Sequence, residues 1–243
     1  MSTLADSLRP PMGRSIFESR PAEQQLPVIQ ERGLWDPDRF AEEQIRSLVR
    51  QVFFPGWPKP IRQVVFSAVE PMDIAGICLQ VGQALAAQTA GSVCVVEANL
   101  RASELGNLSM RKGCEPVCGQ KGFGSLRNSS RQISSKLWRV PINVFLGEGE
   151  NILSPVWLGS RLRDLRLEFD YTVLHGPPAG LCSEAALLGH LSDGIVLVLE
   201  ANSTRRVAAQ KVKQTLQATN ARLLGTVLNQ RTFPIPEGIY KKL

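Results

Sequence analysis

The sequence predicts an α/β domain with a doubly wound, mainly parallel sheet flanked by helices. Three observations carry that expectation. Short apolar runs at residues 63–68, 93–98, 142–146, 171–175, 195–200 and 223–229 are rich in Val, Ile and Leu and lack polar alternation, as strands covered on both faces do. Stretches with helical spacing lie between most of these runs, which calls for crossover connections and a parallel sheet. The chain has 243 residues, 43% hydrophobic and 21% charged, enough for one large domain with a sizeable core.

Residues 1–35 carry Pro10, Pro11, Pro21 and Pro27 among scattered charges, a composition too poor in apolar surface to offset chain entropy, so a flexible extension is expected there and the domain at 36–243. From 36 to 54 the spacing of Phe40, Ile45, Leu48, Val49, Val52 and Phe53 makes one helical stripe, with Asp36 and Asp38 suited to its amino-terminal cap and Pro55 stopping it. After the run at 63–68 comes a loop, then a helix through Leu79, Val81 and Leu85, then the run at 93–98. No stretch is apolar enough to span a bilayer, and the first residues lack the apolar core of a secretory signal, so a cytoplasmic protein is expected.

Five cysteines form an odd set without CxxC spacing. Cys114 and Cys118 lie four apart in a Gly-rich stretch and could share a metal, but His175 and His190 are the only histidines and a four-ligand shell is hard to complete, so no metal is expected. The formal charge of +6 suits an acidic partner or the inner membrane surface. Its densest part is 101–139, where Arg101, Arg111, Lys112, Lys121, Arg127, Arg131, Lys136 and Arg139 face only Glu104 and Glu115, and which is expected to be a solvated loop.

In a doubly wound sheet, ligands bind beyond the carboxyl ends of the strands. After the first core strand the chain reads Ser67-Ala68-Val69-Glu70-Pro71-Met72-Asp73-Ile74-Ala75-Gly76 and enters a helix, the setting of a phosphate-binding loop without its glycines, Lys and Ser or Thr. Further on come Glu97-Ala98-Asn99-Leu100-Arg101, Arg161-Leu162-Arg163-Asp164-Leu165, Phe169-Asp170-Tyr171-Thr172-Val173-Leu174-His175-Gly176-Pro177-Pro178, Ser192-Asp193-Gly194, Ser203-Thr204-Arg205-Arg206 and Leu224-Gly225-Thr226-Val227-Leu228-Asn229. In this order the segments resemble the bacterial tyrosine kinases (BY-kinases) of capsular and exopolysaccharide export, P-loop relatives of MinD and ParA. The resemblance runs from about residue 36 to 243 and is poor over 102–140.

The resemblance implies a P-loop NTPase-like fold and a degenerate nucleotide site at Glu70, Pro71, Met72, Asp73, Ile74, Ala75, Glu97, Asn99, Arg101, His175 and Asn229. Pro71 and Asp73 stand where the family has loop glycines, Ile74 for its phosphate-binding Lys, Ala75 for its magnesium-binding Ser or Thr, and His175 for the Walker B aspartate; Asn229 matches an adenine contact. Phosphoryl transfer rests on positioning and on charge neutralisation by Lys and Mg²⁺, so these changes point away from catalysis. No cofactor is expected beyond weak ATP or ADP with Mg²⁺. His175 also fits a hydrogen-bonded structural role, Glu97 either a magnesium water or a solvent-facing carboxylate, and Asn229 a backbone-satisfying strand end. Glu43 and Arg46, with Arg50 beside the place of the family's last Arg, match a subunit-contact motif and imply homo-oligomers. A solvated i,i+3 pair explains them as well. Tyr240 alone remains of the family's tyrosine tail, as a phosphoacceptor or part of a docking helix. Implied partners are a membrane polysaccharide copolymerase, which would bring the chain to the membrane, or an active tyrosine kinase; a ParA-like DNA or membrane associate using the basic 101–139 stretch is a third reading, although nucleic acid is not expected.

Overall fold

A computed structural model describes residues 37–56, 60–100, 125–147 and 154–230. The expected extension at 1–35, Arg101, Cys114, Cys118 and Tyr240 lie outside the described residues. In chain order the elements are α1 (Pro37–Phe53), β1 (Gln63–Ala68), α2 (Ala75–Gln88), β2 (Val93–Glu97), β3 (Arg131–Ser134), β4 (Leu137–Val140), α3 (Ile142–Leu146), α4 (Pro155–Glu168), β5 (Tyr171–His175), α5 (Ser183–Leu191), β6 (Gly194–Glu200), α6 (Arg206–Ala218) and β7 (Leu223–Asn229). The strands form one sheet in the order β3-β4-β2-β5-β1-β6-β7. Every pairing is parallel except the β3–β4 hairpin.

Alternate residues of each strand face opposite sides, and both sides are covered. Val64, Phe66, Val93, Val95, Val173, Val196 and Val198 pack with Val49, Val52, Phe53, Cys78, Val81 and Leu85 of α1 and α2. Val65, Cys94, Val96, Leu174, Ile195 and Leu197 pack with side chains of α3 to α6, among them Phe145, Leu158, Leu162, Leu188, Val212 and Leu216. This double cover is why the strand runs lack polar alternation. Burial pushes the thiols of Cys78 and Cys94 up to about 12, for Cys78 with help from the Asp73 charge, so both behave as small hydrophobes. No described helix is long and apolar enough to cross a membrane.

The run at 142–146, expected as a strand, is the helix α3, and the strand lies just before it at Leu137–Val140. Pro141 is the reason. It has no amide to donate to a ladder, and in extended conformation it caps α3, its carbonyl accepting from the amides of Val144 and Phe145. Phe145 and Leu146 then face the core, and Gly147, at φ +63°, ends the helix. The buried Arg161 guanidinium donates to the carbonyls of Phe145 (2.7 Å) and Val144 (2.8 Å), satisfying the end of α3, and pairs with Asp164. The second part of the basic stretch is likewise no solvated loop. Residues 131–140 form the hairpin, and Arg127 stacks on the Trp138 ring at 4.0 Å.

Three carboxylates staple the amino-terminal edge of the sheet. Asp193, just before β6, accepts from the amides of Arg62 and Gln63 at the start of β1 (2.8 Å each) and from the Arg166 guanidinium (2.8 Å). Arg166 also donates to the buried Gln63, whose amide nitrogen donates to the Leu162 carbonyl. Asp170, before β5, accepts from the amide (2.8 Å) and hydroxyl (2.9 Å) of Ser92, before β2. Glu168 accepts from Ser125 and from the amides of Leu126 and Arg127, fixing the chain ahead of the hairpin.

Burial opposes the charge on Asp193 and Glu168 and is the largest single influence on each, but hydrogen bonds and a nearby Arg outweigh it and hold both carboxyls below their ordinary values. For Asp170 the Ser92 amide leads in the same direction, followed by the Ser92 hydroxyl. A carboxyl whose folded value is depressed adds stability that is fully present above its ordinary value and is lost as pH falls through the folded one. Stability should therefore hold down to ordinary values of 4.5 for Glu168 and 3.8 for the two aspartates, and decline below them. Asp193→Ala should cost about 3 kcal/mol at neutral pH, by urea unfolding, and flatten that acid decline.

Candidate functional site at the carboxyl edge of the sheet

Because β2, β5 and β1 are neighbouring parallel strands, the segments that follow them meet at one edge. In register, His175 stands between Glu97 of β2 and Phe66 of β1. Beyond the strands the contacts continue: Ala98 N–H donates to the His175 carbonyl (2.9 Å), Gly176 N–H to Phe66 (2.9 Å), Ala179 N–H to Ala68 (2.8 Å) and Gly180 N–H to Val69 (3.0 Å). The buried Ser67 hydroxyl donates to the Pro177 carbonyl. Gly180 has to be glycine here, since a Cβ would lie 2.3 Å from the Val69 carbonyl oxygen.

The loop at 69–74 is closed by its own residues. Asp73 Oδ1 accepts from the Ala75 amide at the start of α2 (2.9 Å). A helix amino terminus offers such amides, with the positive end of its dipole, to anions, and here the chain supplies the anion itself. Ile74 is 1% exposed, packed in the α1/α2 core, and its carbonyl accepts from Cys78. Met72 packs against the same core, Glu70 and Ala75 are half-buried, and Pro71 and Asp73 are exposed. Tested against a nucleotide phosphate, the loop does not fit: Ile74, expected in the place of a Lys, is a core hydrophobe, Ala75 has no hydroxyl to offer, and a carboxylate already holds an amide.

The other expected positions are placed as follows. Glu97 accepts from Arg139 of β4, through Nε (2.8 Å) and Nη2, so its carboxylate is neutralised within the sheet. Sequence reading did not find Arg139 as this partner, 42 positions away; only its place in a parallel neighbour strand reveals it. Asn99 Oδ1 is buried without a hydrogen-bond partner among the described residues. His175 is half-buried at the junction. Asn229 stands two strands from β1, opposite Glu200, its carbonyl accepting from Ala201 (2.9 Å). No group of three or more His, Cys, Asp or Glu suited to a metal occurs among the described residues.

Glu43, Arg46 and Arg50 are apart from this edge, on α1. Arg46 pairs with Glu43 (3.7 Å) and with Glu42 (3.5 Å), a partner four residues earlier that the i,i+4 spacing offers. Arg50 donates to Gln88 of α2 (3.3 Å), and the neighbouring Val49 is wholly buried. Between α1 and α2 lies a cleft of about 450 Å³ lined by Glu42, Ile45, Arg46, Gln80, Gln83 and Ala84 among others.

The order of strands and the strand-loop-helix at the carboxyl edge define a P-loop NTPase-like α/β domain. No protein-family model matches the chain. It is 28% identical over 79 residues to Tyrosine-protein kinase CpsD of Streptococcus agalactiae serotype III (strain NEM316), covering 32% of this chain and 34% of that relative, so the match spans about a third of CpsD. It is 23% identical over 220 residues to Tyrosine-protein kinase YwqD of Bacillus subtilis (strain 168), covering 88% of this chain and 90% of YwqD. Among solved structures, the BceF tyrosine kinase domain superposes with a TM-score of 0.56 at 18% identity, over 77% of this chain and 76% of that one. MinD in its complex with MinC from Aquifex aeolicus gives 0.50 at 16% identity, over 74% of this chain and 72% of that one. Within that class of fold, the chain is a relative of bacterial tyrosine-protein kinases.

Placing Lys at position 74 would bury an ammonium in the core that also holds Val49, Phe66 and Val81. Ile74→Lys should therefore destabilise the fold by about 3 kcal/mol or more, without creating autophosphorylation, whereas Ile74→Val should cost only about 1 kcal/mol. Thermal unfolding beside a phosphotyrosine immunoblot checks both.

Proposed function

We propose that this chain is a non-catalytic, tyrosine-kinase-like regulator or scaffold in exopolysaccharide or capsule biosynthesis and export. It acts on the cytoplasmic side by binding a membrane polysaccharide copolymerase or an active tyrosine kinase. The observation that carries this reading is the self-closed loop, with Asp73 holding the Ala75 amide and Ile74 locked in the core. Two relatives named as tyrosine-protein kinases support the setting. In such a protein function moves from the pocket to surfaces, chiefly α1, where Glu42 and Arg46 are exposed along a cleft and Glu43 is exposed beside Arg46. Apolar contact in the cleft supplies affinity to a partner helix and the charges set register.

A second reading, a divergent nucleotide-binding enzyme with an altered loop, draws on the buried Asn99 Oδ1, which has no partner among the described residues and is an acceptor that a ligand could satisfy. Calorimetry decides between them. The first reading expects no saturable heat from Mg-ATP or Mg-ADP up to millimolar concentration; a micromolar dissociation constant would replace it with the second.

Charge reversal at Glu43 and Arg46 tests the surface. The ion pairs there are exposed and contribute about 0–1 kcal/mol, so the double variant should fold as before yet lose self-association or partner binding. Light scattering and cross-linking read the outcome, and unchanged assembly would remove α1 from the proposal.

A further inference from the structure

We propose that the outer edge of β7 is a docking strand for an extended acidic peptide segment of a partner protein, which joins the sheet as a further strand beyond β7. The inference depends neither on the loop at 69–74 nor on α1.

The sequence treats the two outer strands of the sheet differently. An outer strand presents a row of unpaired amides and carbonyls, and proteins ordinarily guard it with charge, proline, shortness or a bulge. β3 is guarded: it has four residues, begins with Arg131 and breaks register between Gln132 and Ser134. β7, Leu-Leu-Gly-Thr-Val-Leu-Asn, has seven residues with no charge and no proline, and its irregularity against β6 lies only near its start. The Asn229 carbonyl accepts from Ala201, so Asn229 faces β6. Peptide groups alternate along a strand, so those of Val227 face β6 as well, and those of Thr226 and Leu228 face outward. Thr226 is exposed, and Leu228 is 56% exposed. Such a row is a template for another polypeptide strand, whose own amides and carbonyls alternate in step with it.

The helix α6 adds charge on one side of this row. The helices α4, α5 and α6 connect β4 to β5, β5 to β6 and β6 to β7, steps in one direction across the sheet, and all pack on one face. The helix α2 steps the other way, from β1 to β2, and packs on the opposite face. The crossovers therefore share one hand, the right-handed one. In that geometry α6 runs antiparallel to β7, and residues about 100° further round than its buried Val212 and Leu216 lean toward the outer edge. Those residues include Arg206 and Lys213, both exposed and without an ion pair among the described residues. Thr226 and Leu228 point to the same face, because their partners Leu197 and Leu199 pack in the core beneath α6. Residues 201–230 hold no Asp or Glu that could answer these cations.

The two features together select the occupant. The backbone row calls for an extended chain, and the cations beside one face call for carboxylates at alternate positions of that chain. A lipid headgroup or a nucleic acid would meet the cations and leave the row of amides and carbonyls unmatched. A second copy of this chain would match the row but bring its own Arg206 and Lys213 toward the first pair.

The test is fluorescence anisotropy of a labelled, end-blocked peptide, Thr-Glu-Val-Glu-Val-Glu-Thr, titrated with the full chain. Saturable binding with a millimolar or tighter dissociation constant is expected, with slowed hydrogen exchange at the amides of Thr226 and Leu228. A copy with Lys for every Glu should not bind. Of two copies N-methylated at every second amide, one at the glutamates and one at the residues between them, only one should still bind. Thr226→Pro removes an outward amide and spares the ladder to β6, and Arg206→Glu with Lys213→Glu reverses the charge; each should weaken binding roughly tenfold or more. Circular dichroism melting shows that the variants fold, and the charge variant and the N-methylated peptides decide the matter if Thr226→Pro does not. No saturation at millimolar peptide, equal binding of the lysine copy, binding of both N-methylated copies, or indifference to the charge reversal would each overturn the proposal. So would a dimer, seen by light scattering, that Thr226→Pro dissociates, because a second copy would then be the occupant.

Discussion

The carboxylate of Asp193 holds an interior strand of the sheet in place. β1 lies between β5 and β6, and its first residues are tied to Asp193 through two amides while Arg166 clamps the same carboxylate from α4. A parallel strand has no hairpin turn to set its register, so something at its start has to do it. With β1 fixed at the amino edge, the loop leaving its other end is placed beside the ends of β5 and β2. Asp170 does the equivalent for β2 and β5 through Ser92. Charged groups at one edge thus determine where the loops of the other edge can meet.

At that other edge the polar groups of the chain bond to one another. Asp73 bonds to Ala75, Glu97 to Arg139 and Ser67 to Pro177. A group that has satisfied its hydrogen bonds within the protein gains little by exchanging them for a ligand, because the net value of one such bond is only about 1 kcal/mol. Asn99 is the exception among these residues, with a buried oxygen still unpaired among the described residues.

Much of the fold was legible because the central strands are covered on both faces and read as uninterrupted apolar runs, as at 171–175. β4 escaped notice because Arg139 interrupts Leu137, Trp138 and Val140, and because the more apolar residues after Pro141 drew attention away from it. Those residues form a helix, since a short apolar run does not reveal its own period. The convergence of Glu97 and His175 followed from parallel order alone. What could not be read was the destination of each side chain. Nothing local distinguishes an Ile74 that lines a pocket from one that enters the core, and the partners of Glu97 and Asp193 are distant in sequence, made neighbours only by strand order.

The burial of Ile74 also changes how position 74 can evolve. A lysine that grips phosphate is constrained by charge and reach, and almost any replacement ends its task. An isoleucine packed in the same core as α1 and α2 is constrained by volume, so Val, Leu or Met would be steps of about 1 kcal/mol for it. Drift among aliphatic residues is then easy, while the path back to lysine crosses a sequence whose core holds an unpaired charge. With the side chain turned inward, the fold itself would oppose a lysine at this position.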